Sequence, residues 1–131
     1  MDGLHLTADL EGCDPRAAPM TDVQALRSLC VQAVRDAGLS PVAELFHRFD
    51  APAGAADGSA GGITGVVLLA ESHLAVHTWP ERAAVTLDAY VCNVGADNSA
   101  RAERLLDALL AAFAPGGRVV RHRLHRGSTP A

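Results

Sequence analysis

The run Glu71-Ser72-His73 is followed by a second histidine at 77 and by Trp79-Pro80-Glu81. Three chemistries can be asked of it. A metal site would use His73 and His77, which stand four apart like the ligands on a zinc-protease helix. The residues around them alternate and Pro80 closes the run, so it reads as a strand. There the two imidazoles share a face but lie about 13 Å apart. One ion cannot span that distance, no cysteine pair or acid cluster completes a set, and no metal is expected. A hydrolase nucleophile would need a sharp turn of the Gly-x-Ser-x-Gly kind, and no glycine flanks Ser72. The third chemistry is one the chain performs on itself. A serine hydroxyl held in a tight connection can attack the carbonyl carbon of the residue before it, turning the amide into an ester. Elimination and hydrolysis then split the chain and leave a pyruvoyl group, an electron sink, on the new N-terminus. Ser72 and His77 are an odd number of residues apart, so on one straight strand they point to opposite faces. This reading therefore expects a bend near Ser72 that lets the two meet, with Glu71–Ser72 in a tight, strained connection.

The elements that must position these groups follow from periodicity. "LHLTADL" (4–10) alternates as a half-buried strand does. Thr21-Asp22-Val23-Gln24 reads as a capping box, and Val23, Leu26, Cys30, Ala33, Val34 and Ala37 then recur at helical spacing up to Gly38. That spacing makes Cys30 a core thiol. Strands are expected over 41–49, 63–70, 73–79, 83–92 and 118–125. A second helix is expected to start near Asn98 or Ser99, with Leu105, Leu106, Leu109, Leu110 and Phe113 on one stripe. The segment 50–62, rich in Gly, Ala, Asp and Pro, reads as a mobile loop. Two amphipathic helices on one face of a mostly antiparallel sheet make an α+β two-layer sandwich.

The chain has 131 residues, of which 49% are hydrophobic, which suits one domain with a real core. Its net charge of −4 argues against nucleic acid as the main partner. The basic residues of "GRVVRHRLHRG" read as the gatekeepers of a solvated edge strand. No apolar run approaches ~18 residues, so no membrane span is expected. The start lacks the features of a signal peptide. Cys13, Cys30 and Cys92 form no Cys-x-x-Cys pair, which points to free thiols in a reducing cytoplasm.

The segment "GITGVVLLAESHLAVHTWPE" resembles the processing segment of the bacterial and archaeal S-adenosylmethionine decarboxylase proenzymes, the small pyruvoyl-dependent kind. "HLTADLEGCD", "ELFHRF" and "LDAYVC" match in order, so the resemblance covers roughly residues 3–126. It implies cleavage between Glu71 and Ser72, giving a β chain of 1–71 and an α chain of 72–131. Ser72 would become the pyruvoyl cofactor, on which a substrate amine can form a Schiff base. His77 would move protons during processing, with Thr64 in support. Cys92 would return a proton to the substrate's α-carbon after CO₂ leaves, a step that suits a thiol. Phe49 and Trp79 would line the pocket for S-adenosylmethionine, with Glu81 on the ribose. The cleaved protomers would pair as a homodimer, and the product would serve spermidine synthesis.

The sequence also departs from the family. Arg82-Ala83-Ala84 stands where an aromatic–Gly–aromatic run is common, Asn93 follows Cys92 where glycine is frequent, and the 50–62 loop is long. Two other readings stay open on the residues: a pyruvoyl-dependent arginine or ornithine decarboxylase, and an uncleaved homologue that only binds or regulates. His47, His73 and Cys13 have no role derivable from sequence.

Overall fold

Alternation along four segments produces strands that each bury one face. In β1 (Asp2–Glu11) the buried apolar side chains are Leu4, Leu6, Ala8 and Leu10, with polar groups between them. The same period of two runs through β3 (Ile63–Leu69), β4 (Ser72–Trp79) and β5 (Ala84–Cys92). A period of 3.6 governs α2 (Val23–Asp36) and α3 (Ser99–Phe113). Leu26, Cys30 and Val34 of the first, and Leu105, Leu106 and Leu109 of the second, are wholly buried.

The computed structural model describes residues 1–55 and 60–127. Its six strands form one sheet in the order β2-β3-β4-β5-β1-β6, with β2 at Pro41–Arg48 and β6 at Val119–Gly127. Every neighbouring pair is antiparallel. Helix α2 packs on β2 and β3, and α3 packs on β5 and β1, all on one face. Among the described residues no element of this chain covers the opposite face. This is the α+β two-layer sandwich expected from the sequence.

Three local expectations need correction. The cap of α2 is Asp22, not Thr21: its carboxylate accepts from the amides of Gln24 and Ala25 at 2.9 and 3.2 Å. An ionised acceptor at the positive end of a helix outdoes a hydroxyl there. Thr21 instead ends a short helix, α1 (Ala18–Thr21), that periodicity did not reveal. A single 3-10 turn at Pro80–Arg82 was also unforeseen. The expected mobility of 50–62 falls partly on 56–59, which lie outside the described residues.

Thr78 fastens the layers together. Its buried hydroxyl accepts from the Ile63 amide at 2.9 Å and donates to the Met20 carbonyl at 2.8 Å, joining β3, β4 and α1. Thr78→Val keeps the shape and strands both backbone groups away from water. A loss of about 3 kcal/mol is expected, read as a lower urea midpoint with an unchanged slope.

Candidate active site

The hairpin between β3 and β4 pairs Leu69 with Ser72, which leaves Ala70 and Glu71 as a two-residue turn. Such turns favour positive φ at the first or at both central positions, usually on glycine or asparagine. Here the positive φ, 56°, falls on Glu71, the second position. A residue with a Cβ pays roughly 1–2 kcal/mol for that conformation. The strained connection expected ahead of Ser72 is therefore present, at the residue whose carbonyl the hydroxyl would attack.

Ser72 sits against the end of β5. Its Oγ accepts the Cys92 amide hydrogen at 3.0 Å, and the Cys92 thiol lies 3.5 Å from a Glu71 carboxylate oxygen. Glu71, Ser72 and Cys92 thus form one cluster, and Cys92 is nearly closed to solvent. His73 follows on the uncovered face, tilted toward Tyr90 with ring centroids 5.7 Å apart.

A second cluster lies at the other end of the same strand. Thr64 Oγ1 and His77 Nδ1 are 3.0 Å apart, on paired positions of β3 and β4. The His77 ring stacks beside Trp79 at 28° and 6.4 Å. Phe49, Thr64, His77, Trp79 and Glu81 line one small cavity of about 130 Å³. Phe49 is set there by a tight pinch at the base of the loop. Its amide donates to the Gly62 carbonyl at 2.8 Å, and a Cβ on Gly61 would sit 1.8 Å from the Phe49 carbonyl oxygen. His47 meets the Phe49 ring edge-on at 4.6 Å.

The expected meeting of Ser72 with His77 does not occur within the chain. The bend falls before Ser72, while β4 runs unbroken from Ser72 to Trp79. Five residues of strand separate the two side chains by about 17 Å, and alternation points them to opposite faces. The residues singled out from sequence are therefore gathered in two half-sites. One holds Glu71, Ser72 and Cys92; the other holds Phe49, Thr64, His77, Trp79 and Glu81.

The structure accounts for two departures noted in the sequence. Ala83 occupies a left-handed conformation, φ 50°, where the resembling sequences often carry glycine. Its backbone shape is kept by the turn and by the Cys13 amide donating to its carbonyl at 2.8 Å. Asn93 is part of a polar bracket with Asn98 and Ser99 at the start of α3.

A further group escaped the sequence reading. On the uncovered face, Arg126 Nη1 lies 3.3 Å from His5 Nδ1, and His5 Nε2 lies 2.9 Å from Asp88. An arginine can only donate, so the imidazole proton sits on Nε2 and goes to Asp88. The three residues come from β6, β1 and β5, so no local pattern links them. Cys30 is confirmed as core: burial pushes its thiol up to about 12, and burial also raises that of Cys13. Neither is a ready nucleophile.

Comparison with known proteins bears on the family and the fold. The family model described as S-adenosylmethionine decarboxylase matches residues 4–127. The S-adenosylmethionine decarboxylase proenzyme of Aquifex aeolicus is 38% identical over 113 residues, covering 86% of this chain and 73% of that protein. The proenzyme of Symbiobacterium thermophilum is 35% identical over 127 residues, covering 96% and 83%. The crystal structure of the adenosylmethionine decarboxylase from Aquifex aeolicus superposes with a TM-score of 0.80 at 32% identity, over 98% of this chain and 92% of that one.

Proposed function

Because this chain belongs to the S-adenosylmethionine decarboxylase family, we propose that it cuts itself between Glu71 and Ser72 and then decarboxylates S-adenosylmethionine for spermidine synthesis. The observation that carries this reading is the cluster at the β3–β4 turn: a serine hydroxyl behind a left-handed Glu71, bonded to the backbone of the one cysteine at the site. The Ser72 hydroxyl attacks the Glu71 carbonyl carbon, and the C–N bond gives way to an ester. Elimination breaks the Cβ–Oγ bond, so that oxygen leaves with Glu71. Hydrolysis of the nitrogen-bearing end releases ammonia and leaves a pyruvoyl group at residue 72. That group supplies a ketone conjugated to an amide, which takes up the electrons left behind by CO₂. Cys92, beside residue 72 and shielded from water, holds the proton returned to the substrate carbon.

Phe49 and Trp79 offer π faces to the adenine and the sulfonium, and Glu81 offers a carboxylate to the ribose hydroxyls. These groups stand at the far end of β4 from Ser72, and a cavity of about 130 Å³ is well below the ~300 Å³ that small-molecule sites begin at. Both facts favour a site completed by a second copy. If two uncovered sheet faces meet about a two-fold axis near Ala75, midway along β4, the Ser72 end of one protomer lies over the His77 end of the other. Ser72 is the first residue of β4, so the partner's His77, held by the partner's Thr64, reaches its hydroxyl around the open end of the strand rather than through the sheet. Leu45, Leu68 and Leu124 stand exposed on that face, which suits burial against a second copy.

Among the described residues no helix is long and apolar enough to cross a membrane. With free thiols at Cys13, Cys30 and Cys92, the cytoplasm is the proposed setting. Labelled CO₂ release from S-adenosylmethionine, arginine and ornithine tests the substrate. Release from S-adenosylmethionine alone is expected; release only from arginine or ornithine would reassign the pocket.

A further inference from the structure

Cys92 is the last residue of β5, where the sheet ladder runs out. Its backbone is nevertheless fully engaged, and by side chains. Its amide donates to Ser72 Oγ at 3.0 Å, and its carbonyl accepts from Asn98 Nδ2 at 2.8 Å. The next amide, on Asn93, donates to the Asp2 carbonyl at 2.8 Å. The peptide group between Cys92 and Asn93 is thus bonded at both its oxygen and its nitrogen and cannot turn. Asn98 is itself fixed on two more sides. Its backbone amide donates to Asn93 Oδ1 at 2.8 Å, and Arg101 donates to its Oδ1 at 2.8 Å. Asn93 Nδ2 reaches Ser99 at the start of α3, 3.1 Å away. Helix α3, anchored in the core through Ala102 and Leu105, therefore holds Cys92 through Asn98.

We propose that Asn98 is a positioning residue for the backbone break. By pinning the Cys92 carbonyl it aims the Cys92 amide at Ser72 Oγ, which sets that oxygen for attack on Glu71. The inference rests on the proposed role of Ser72. A backbone N–H that donates to a hydroxyl oxygen restricts its rotation, and it strengthens as the oxygen loses its proton and gains charge. Small displacements of an attacking atom cost large factors in rate. Asn93, in the position after Cys92 where glycine is frequent in the resembling sequences, supports the same bracket. The loop thereby gains by side-chain bonding the rigidity that this position would otherwise lack.

The test follows self-cleavage by intact mass in freshly made protein, with thermal midpoints recorded alongside. Asn98→Asp sets a carboxylate oxygen against the Cys92 carbonyl in an unchanged shape. Asn93→Ala loosens the bracket from the other side and serves if the first variant fails to fold. Folded variants are expected to split about tenfold more slowly than the parent chain. Hydroxylamine, which would capture an accumulated ester as a Glu71 hydroxamate, is expected not to restore the rate, because ester formation is the impaired step. Splitting at the parental rate overturns the inference, whatever the thermal midpoint does. So does a rate restored by hydroxylamine, which would place the defect after the ester. A parent chain that itself never splits would instead remove the reading on which the inference rests.

Discussion

A Ser72→Ala chain stays whole and releases no CO₂ from S-adenosylmethionine. The substitution removes one oxygen, which accepts a hydrogen bond from the Cys92 amide and makes no other polar contact among the described residues. The half-exposed end of β4 can take water in its place, so the fold is expected to survive with its thermal midpoint within a few degrees. Activity has no such substitute. Without the hydroxyl, the amide between Glu71 and the following residue cannot become an ester, no keto group arises, and the electrons left by CO₂ have nowhere to go. Loss of the whole catalytic acceleration is expected, a factor of at least about 10⁶. The measurement pairs intact mass with labelled CO₂ release.

The second large effect concerns where His77 acts. His77→Ala alone should split slowly, by on the order of 10²-fold, because it lacks a positioned proton carrier. Co-expressed with Ser72→Ala, the His77→Ala chain should split at near the parental rate. Its own Ser72, at the open end of β4, is then within reach of the partner's intact His77, while the Ser72→Ala chain remains whole. Within one protomer an unbroken strand holds the two groups about 17 Å apart on opposite faces, and a hydrogen-bonded imidazole does not cross that gap. Distinguishable tags and the masses of the two fragments and of the whole Ser72→Ala chain decide the matter. A His77→Ala chain that splits no faster with its partner than without would place both groups in one protomer.

The sequence carried much of this fold because each long element has one strong period. Strands 63–69, 72–79 and 84–92 and helices 23–36 and 99–113 lie within a residue or two of where alternation and helical spacing put them. Helix α1 was missed because four residues around Pro19 give no period to read. The cap moved from Thr21 to Asp22 because both residues can cap, and the carboxylate is the stronger acceptor at the positive end of the helix. The chemistry-bearing residues were legible as a motif, but not their arrangement. Spacing in one strand stated that Ser72 and His77 face apart; a bend near Ser72 was expected to reunite them, and the β3–β4 hairpin supplies that bend just before Ser72, where it leaves the two apart. The Arg126–His5–Asp88 chain unites three separate strands and left no sequence signal, and the only signal of the Asn93–Asn98 bracket was the pair of asparagines just before α3.

The claim beneath all of this is that the bond between Glu71 and Ser72 breaks through the neighbouring hydroxyl. Intact mass spectrometry of the freshly purified wild-type chain tests it most directly. The account predicts two fragments, residues 1–71 and a fragment of 72–131 whose terminus carries a ketone in place of the serine amine. A single chain of full mass that persists on prolonged incubation would contradict it.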